Sequence, residues 1–227
     1  MTTTTTTAII VAAGSSQRMG FDKLAAPLAG ISVLRRTLDA FLAADCINEI
    51  IVVCSAVRWN LLENANSYSF AKPLRRVDGG ASRQESVANG LAAVSASASW
   101  VAVHDGARPL VSPEDISRCV AAAGVFGAAS LARRVTETLK RSDSEDFCAE
   151  ALARDQLWFM ETPQVFELAL LREAYAAVCA RQIEVTDEVS AVQAIGKPVK
   201  FIEANHPNPK ITRPADLALA IAALTTK

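Results

Sequence analysis

The sequence predicts an α/β protein with a doubly wound, mostly parallel sheet. Short apolar runs alternate with alanine-rich segments of helical periodicity along most of the 227 residues. Such alternation is typical of parallel strands joined by right-handed crossover connections. A chain of this length can bury a sizeable core. We therefore expect a single domain over residues 1–227, with an arm at about residues 133–156.

The predicted elements follow from the length and residue types of each segment. Apolar runs of strand length lie at residues 8–12, 50–54, 100–104, 125–131, 158–160 and 199–203. Segments with helical spacing lie at residues 33–44, 85–96, 113–123, 167–180, 188–195 and 214–224. The helix that begins at Pro113 has a clear start signal, since Ser112 precedes it and two acids follow in the first turn.

Residues 133–156 break this alternation, because they are charged and poorly periodic. The S-D-S-E-D turn separates two short strand-like runs, which predicts an antiparallel hairpin that projects from the domain. A projecting hairpin with apolar residues on one face usually needs a cover, and a second subunit is the simplest one. We therefore expect a homodimer in which the arm takes part.

Composition excludes several classes of protein. The net charge of −1 argues against electrostatic binding of nucleic acid, which normally requires a basic excess. No apolar run approaches the roughly 18 residues of a membrane span. The threonine run at residues 2–7 has no basic segment before it, so we interpret it as a frayed end rather than a signal peptide.

The cysteines indicate a reducing cellular compartment, and the histidines argue against a histidine-based metal site. Five scattered cysteines without a C-x-x-C pair suit reduced thiols in the cytoplasm. The two histidines, His104 and His206, are far apart in sequence, so a histidine-based metal site is not expected.

The segment A-I-I-V-A-A-G-S-S-Q-R-M-G-F-D-K at residues 8–23 predicts a phosphate site. A buried strand runs into small residues, which let backbone N–H groups approach an anion, and Arg18 and Lys23 add positive charge. The loop is neither a Walker A motif nor G-x-G-x-x-G. The alternative is an ordinary turn between a strand and a helix with surface cations.

The segment D-G-G-A-S-R-Q-E-S-V-A-N-G-L at residues 78–91 supplies a second candidate loop. Gly80 and Ser86 would lie at the carboxyl edge of the sheet, where backbone and hydroxyl groups could recognise a base. The alternative is purely structural, because Ser82 and Glu85 also make a well-capped helix start.

The segment V-A-V-H-D-G-A-R-P places Asp105 at the carboxyl end of a buried strand. An acid at this position could bind Mg²⁺ or a sugar hydroxyl. The alternative is a local ion pair between Asp105 and Arg108 that shapes the turn.

Three later polar segments, E-T-P-Q-V-F, T-D-E-V-S and N-P-K-I-T-R-P-A-D, are placed in loops by the same pattern. Taken singly, each also fits a turn or a helix cap. Lys210 differs from the rest, since a lone cation between two apolar segments has no evident structural role in the sequence.

Together these motifs resemble the sugar-phosphate cytidylyltransferases, and most closely the 2-C-methyl-D-erythritol 4-phosphate cytidylyltransferases of the non-mevalonate isoprenoid pathway. The resemblance spans nearly the whole chain, and H-D-G-A-R-P and T-P-Q are its most specific parts. It implies a Rossmann-like nucleotidyltransferase fold, a homodimer clasped by the arm, and Mg²⁺-dependent joining of CTP and 2-C-methyl-D-erythritol 4-phosphate. The products would be 4-diphosphocytidyl-2-C-methyl-D-erythritol and pyrophosphate.

The resemblance also assigns roles by position. The implied catalytic cations are Arg18, Lys23 and Lys210. The implied CTP-binding residues are Ala12, Ala13, Gly14, Ser15, Gly80, Ser86 and Asp105, the last of which would also meet the metal. The implied binding residues for the polyol phosphate are Thr138, Arg154, Thr162, Asp187 and Arg108, and the arm residues Thr138 and Arg154 would reach into the partner's site.

The chain departs from the family pattern in three places. G-F-D-K shortens the loop between Arg18 and Lys23 and resembles the molybdopterin guanylyltransferases. Ala81 stands where an acid often follows the glycine pair, and H-P-N-P-K replaces a more polar segment. The alternatives are a ribitol 5-phosphate cytidylyltransferase, which has the same chemistry with a different polyol, a molybdenum-cofactor guanylyltransferase, which R-M-G-F-D-K suggests, and a non-catalytic nucleotide sensor.

Overall fold

A seven-stranded sheet with helices on both faces forms the centre of the computed structural model, which describes residues 4–14, 16, 19–64 and 72–225. The strands are β1 (Thr6–Val11), β2 (Pro27–Leu28), β3 (Ile31–Ser32), β4 (Glu49–Val53), β5 (Leu74–Val77), β6 (Trp100–Asp105), β7 (Ala128–Arg134), β8 (Leu139–Ser142), β9 (Cys148–Leu152), β10 (Trp158–Glu167) and β11 (Lys200–Glu203). The helices are α1 (Val33–Ala43), α2 (Ala56–Asn64), α3 (Arg83–Ala93), α4 (Pro113–Phe126), α5 (Leu168–Ala180), α6 (Glu188–Gln193) and α7 (Pro214–Thr225).

The strand order of the sheet is β11-β7-β10-β6-β1-β4-β5. β1 pairs in parallel with β4 and β6, and β4–β5 and β7–β11 are also parallel pairs. Only β10, among the seven strands, runs antiparallel to its neighbours β6 and β7. The predicted α/β class with a mostly parallel sheet is therefore confirmed.

The central strand β1 contributes to a hydrophobic core on each face of the sheet. Ile10 packs with α1 and α4, where Leu38 and Phe41 are fully buried. Ile9 packs on the opposite face with α3 and α5. Successive side chains of a strand point to opposite faces, so an uninterrupted apolar run is what a doubly covered strand requires. Burying each such side chain contributes about 1.5–3 kcal/mol.

The first strand begins at Thr6, earlier than predicted, so the expectation of a frayed end is wrong for residues 6 and 7. Both threonines are buried. The backbone N–H of Thr6 donates to Oδ1 of Asn48 at 2.8 Å, and the Thr7 hydroxyl donates to Oε2 of Glu49 at 3.1 Å. These tertiary partners extend the strand beyond the apolar run. Residues 2 and 3 lie outside the described residues.

The strand predicted at residues 125–131 begins only at Ala128, because α4 continues to Phe126. Gly127 ends the helix with φ of 81°, and its N–H donates to the carbonyl of Ala123 at 2.7 Å. A glycine at this position adopts the left-handed conformation without a steric penalty. The apolar residues at 125 and 126 are therefore the exposed last turn of a helix.

Four elements lie outside the predicted set, namely the short strands β2 and β3, the helix α2 and the strand β5, and β10 is longer than predicted. β5 pairs with β4 at the sheet edge. β10 includes the whole E-T-P-Q-V-F segment, with a register shift between Met160 and Gln164. This segment is therefore buried strand rather than a loop.

The arm is an antiparallel hairpin of β8 and β9, which form a separate two-stranded sheet. Its turn is held by Asp143, whose Oδ1 accepts from the N–H groups of Glu145 at 2.9 Å and Phe147 at 3.0 Å. The predicted hairpin is therefore present. Its use in a dimer stays a prediction.

Two loops meet closely at the carboxyl edge of the sheet because Gly79 has no side chain. A Cβ at Gly79 would lie 2.3 Å from the Cβ of Ala13, far inside van der Waals contact. The loop after β1 and the loop after β5 can therefore touch, which brings two predicted binding segments together.

We expect Gly79→Ala to destabilise the protein by about 1–3 kcal/mol, because the two loops must separate to admit the methyl group. The control is Gly124→Ala on α4, where nothing lies within 4 Å of the added carbon and a modest gain in stability is expected. Urea unfolding of both variants measures the difference. Equal unfolding free energies for Gly79→Ala and the wild type would contradict the close approach.

Candidate functional site

A cleft of about 640 Å³ opens at the carboxyl ends of β1, β5 and β6. Ligands of open α/β sheets bind at this edge, because the connecting loops there leave a crevice. Eight of the residues predicted from sequence line the cleft: Ala12, Ala13, Gly14, Lys23, Gly80, Ser86, Asp105 and Lys210. Ser15 and Arg18 lie outside the described residues.

Asp105 lies at the end of β6 and is surrounded by three cations. Its side chain is 9% exposed, and its carboxylate lies 3.0 Å from Nζ of Lys210, 3.3 Å from Nε of Arg83 and 3.4 Å from Nε of Arg108. Burial alone would raise its pKa, but Arg83, Lys210 and Arg108 outweigh this effect and hold the pKa of Asp105 well below its usual range. The cleft therefore contains a permanently ionised carboxylate and an excess of positive charge.

Arg83, which was not among the predicted site residues, connects Asp105 to the helix α6. Its guanidinium donates two hydrogen bonds to the fully buried Glu188, at 2.7 and 3.0 Å. The hydroxyl of Tyr175 donates to the same carboxylate at 2.9 Å. Burial opposes the charge of Arg83, but the Glu188 carboxylate outweighs it and raises the pKa of Arg83. Such a bidentate pair fixes a guanidinium rigidly.

The sequence contained signals for this pair that only the structure connects. Arg83 lies within the G-G-A-S-R motif, and Glu188 lies within T-D-E. They are 105 residues apart. No local spacing indicates that they pair, because only the tertiary structure brings the first residues of α3 and α6 together.

The loop before α3 is shaped by side chains of the helix itself. The Ser86 hydroxyl accepts from the Gly80 N–H at 3.0 Å and donates to the Ser82 carbonyl at 2.8 Å. Oε2 of Glu85 accepts from the Ala81 N–H at 2.7 Å. Gly80 and Ser86 therefore line the cleft as predicted, with the Ser86 hydroxyl already engaged in holding the loop.

Thr162 is buried and does not line the cleft. Its hydroxyl lies 2.9 Å from Nδ1 of His104 and accepts from the Asp105 N–H at 3.1 Å. Nε2 of His104 lies 3.2 Å from the carbonyl of Arg108, so Nε2 carries the proton and Nδ1 accepts from Thr162. This chain of bonds fixes the backbone at Asp105.

Arg108 and Asp187 also have internal partners and lie beside the cleft rather than in its lining. Arg108 donates to the carbonyls of Asn208 at 2.7 Å and Met160 at 3.2 Å. Asp187 caps α6 by accepting from the Ser190 N–H at 2.9 Å. The Asp105–Arg108 ion pair, the structural alternative in the sequence, is present.

The two lysines that line the cleft, Lys23 and Lys210, lie near opposite ends of the sequence. Nζ of Lys23 donates to the carbonyl of Ile211 at 2.8 Å, and Lys210 is the preceding residue. Lys210, which had no evident structural role in the sequence, is half-buried against Asp105. The cleft is therefore lined by cations whose positions are fixed before any ligand binds.

The arm residues Thr138 and Arg154 are exposed and lie outside the lining of this chain's own cleft. Arg154 donates a hydrogen bond to the carbonyl of Thr136 at the base of the arm. Within the described residues there is no cluster of three histidine, cysteine or acidic side chains that could hold a metal ion. None of the described helices is long and apolar enough to cross a membrane.

Comparison with known proteins identifies a family. The model of the 2-C-methyl-D-erythritol 4-phosphate cytidylyltransferases matches residues 6–226. The enzyme of that name from Pelotomaculum thermopropionicum is 36% identical over 94% of this chain and 92% of its own length. The chloroplastic enzyme of Oryza sativa is 37% identical over 91% of this chain and 70% of its own length.

Solved structures carry the same names. 4-Diphosphocytidyl-2C-methyl-D-erythritol synthase from Anaerococcus prevotii superposes with a TM-score of 0.85 at 28% identity, over 98% of this chain and 99% of the other. 2-C-methyl-D-erythritol 4-phosphate cytidylyltransferase from Thermus thermophilus superposes with a TM-score of 0.78 at 34% identity, over 96% and 98% of the two chains.

We expect the buried imidazole of His104 to make stability fall as the pH is lowered. Burial lowers the pKa of His104 to about 3, whereas an unfolded histidine titrates near 6.5. Below pH 6.5 the unfolded chain therefore binds a proton that the folded chain does not, and stability falls by up to about 1.4 kcal/mol per pH unit.

The measurement is the unfolding free energy in urea between pH 5 and 8 for the wild type and for His104→Gln, which can keep a donor toward the Arg108 carbonyl. In the variant, the slope of the unfolding free energy against pH should be smaller by the contribution of about one proton. His206→Gln is the matched control. Equal pH dependence in wild type and His104→Gln would contradict a neutral His104.

Proposed function

The chain belongs to the 2-C-methyl-D-erythritol 4-phosphate cytidylyltransferase family, and from this membership we propose that it joins CTP to 2-C-methyl-D-erythritol 4-phosphate. The products are 4-diphosphocytidyl-2-C-methyl-D-erythritol and pyrophosphate, and the reaction belongs to isoprenoid precursor synthesis. The structural observation that carries the proposal is the cleft lined by Lys23, Lys210 and Arg83, in which Lys210 and Arg83 pair with the buried carboxylate of Asp105. Two polyanionic substrates need such a site.

The reaction needs charge compensation rather than proton transfer. A phosphate oxygen of the polyol phosphate attacks the α-phosphorus of CTP, a new P–O bond forms, and the bond to the β-phosphate breaks to release pyrophosphate. The nucleophile is already anionic, so no general base is required. Bringing the two anions together and stabilising the charge that develops are the tasks left to the protein.

We assign the roles from membership of the family, and for the described residues their place in the cleft supports the assignment. Ala12, Ala13, Gly14 and Ser15 would present the loop after β1 to CTP, with Gly80 and Ser86 on the other side. Arg18 and Lys23 would hold the triphosphate. Asp105 would accept from a ribose hydroxyl.

Lys210 would neutralise the phosphoryl groups beside the attacking oxygen. Its position against Asp105 supports this role, because the ion pair holds the ammonium in place before substrate binds. A cation that needs no reorganisation during the reaction stabilises the transition state most effectively.

We propose Mg²⁺ as the cofactor. Asp105 supplies an ionised carboxylate in the cleft. This group suits Mg²⁺, which commonly uses one or two carboxylates together with substrate phosphates. Asp105 would be the protein ligand, and the metal would neutralise phosphate charge when bound. The existing cation contacts of Asp105 mean that phosphate oxygens and water must supply most of the coordination.

The polyol phosphate would lie near Lys210, bordered by Arg108, Thr162 and Asp187. Each of these three has internal partners, which would hold its side chain in place beside the substrate. Thr138 and Arg154 would complete the site from the arm of a second subunit.

The homodimer is supported by the surface of the arm and its base. Phe147, Leu157 and Phe159 are exposed, with Phe147 67% accessible. Large apolar side chains on a projecting hairpin are typical of a surface that a partner covers. A second copy of the chain would bury them and place Arg154 beside the other subunit's cleft.

We also propose the cytoplasm as the location. Cys54 and Cys119 are buried and unpaired, and the other three cysteines form no disulfide. Free thiols of this kind persist in a reducing compartment.

The experiment that tests the function measures pyrophosphate release with CTP and Mg²⁺ against a panel of polyol phosphates. We expect release with 2-C-methyl-D-erythritol 4-phosphate. Release only with ribitol 5-phosphate, or only when GTP replaces CTP, would refute the proposed substrates.

We expect Lys23→Ala and Lys210→Ala each to lower turnover by at least tens-fold, because each removes a cation placed where charge develops. Lys197→Ala, which removes an exposed lysine, is the control and should leave turnover unchanged. Steady-state kinetics measures all three. Near-wild-type turnover in both cleft variants would show that the roles are misplaced.

For the arm, we expect Arg154→Ala to raise the KM for the polyol phosphate more than the KM for CTP. If Arg154 acts on the partner's site, Arg154→Ala and Lys210→Ala chains that are denatured and refolded together should give about a quarter of the wild-type rate, measured at a polyol phosphate concentration well below the KM of Arg154→Ala. Half of the dimers would then be mixed, and each would have one complete site. Mixtures no more active than the separate variants would place Arg154 in the site of its own chain.

A further inference from the structure

Arg58 of α2 lies behind the loop that follows β1. Its side chain is only 11% exposed, and it borders a separate small cavity of about 190 Å³ together with Leu61 and Leu62. It is not part of the cleft lining.

The Arg58 guanidinium contacts the loop at three points. It donates to the carbonyl of Ala12, to the carbonyl of Gly14 at 3.3 Å and to the carboxylate of Asp22 at 3.0 Å. The first two points lie just after β1, and the third lies next to Lys23. One side chain therefore connects the beginning and the end of the loop.

The contact with Ala12 has a consequence for the direction of the backbone. In a trans peptide the carbonyl and the N–H point in opposite directions. When Arg58 holds the Ala12 carbonyl on the side away from the cleft, the N–H of Ala13 turns toward the cleft. A backbone N–H in this orientation is the group that binds an anion.

The contact with Asp22 concerns charge. Asp22 directly precedes Lys23, and it belongs to the D-K pair in which this chain departs from the family pattern. Oδ1 of Asp22 accepts from the Leu24 N–H at 3.0 Å, and Oδ2 accepts from Arg58. Without the guanidinium, this carboxylate would stand unneutralised beside a lysine that must hold phosphates.

We propose that Arg58 is a positioning residue for the nucleotide triphosphate, acting through the loop and through neutralisation of Asp22. This inference rests on the proposed use of CTP. Arg58 holds the carbonyls of Ala12 and Gly14 so that the N–H of Ala13 turns toward the cleft, and it neutralises the carboxylate next to Lys23.

The test compares Arg58→Met with Arg36→Met. Arg36 also holds two backbone carbonyls, those of Leu28 at 2.6 Å and Ala29 at 3.0 Å, but in the β2–β3 hairpin. Binding of CTP with Mg²⁺ is measured by titration calorimetry, and the KM for the polyol phosphate is measured at saturating CTP. We expect Arg58→Met to weaken CTP binding about tenfold. The KM of Arg58→Met for the polyol phosphate, and both quantities for Arg36→Met, should change less than about twofold.

A second variant separates the charge effect from the general loss of an arginine. Asp22→Asn in the Arg58→Met background removes the unpaired carboxylate, and we expect it to recover about threefold in CTP affinity. Absence of recovery would overturn the neutralising role. Equal effects of Arg58→Met on both substrates, or the same effect from Arg36→Met, would overturn the positioning role.

Hydrogen exchange of the ligand-free protein separates failure of this inference from failure of the proposed function. Arg58→Met should speed exchange in residues 12–26, whereas Arg36→Met should not. A wild type that binds no CTP would refute the function and leave the loop result intact. Unchanged exchange in Arg58→Met would refute the role of Arg58 in the loop.

Discussion

The rest of the site depends on the pairing of the buried Asp105 carboxylate with three cations. A buried negative charge is unfavourable unless cations and hydrogen bonds compensate it. The three cations around Asp105 come from the start of α3, from the turn after β6 and from the segment before α7. The need to compensate one charge thereby joins three distant parts of the chain at the carboxyl edge of the sheet.

A second layer of buried groups holds these cations in place. Glu188 and Tyr175 fix Arg83, while His104 and Thr162 fix the backbone of Asp105. The buried imidazole stays neutral, and its pKa of about 3 excludes it from proton transfer near neutral pH. The site is therefore preorganised for positive charge, which suits phosphoryl transfer between two anions better than acid–base chemistry.

Much of the fold could be predicted from local patterns. β1, β4 and β6 are apolar runs, and the residues that start α4 all lie within residues 112–115. β5 escaped prediction because L-R-R-V is a charged edge strand whose pairing with β4 defines it. The direction of β10 also required the structure, since a strand's apolar pattern is the same in parallel and antiparallel pairing. Thr6 and Thr7 extend β1 through pairing with β6 and through contacts with Asn48 and Glu49, none of which the local sequence indicates.

The sequence by itself determined the fold class, the arm and eight of the residues that line the cleft, because motifs at strand ends converge at one edge of a parallel sheet. Only the tertiary structure decided which charges pair. Arg83 with Glu188, Lys210 with Asp105, and Arg58 with Asp22 are each separated by 36 residues or more. Local spacing holds no information about such pairs, since packing of the intervening elements brings them within hydrogen-bond distance.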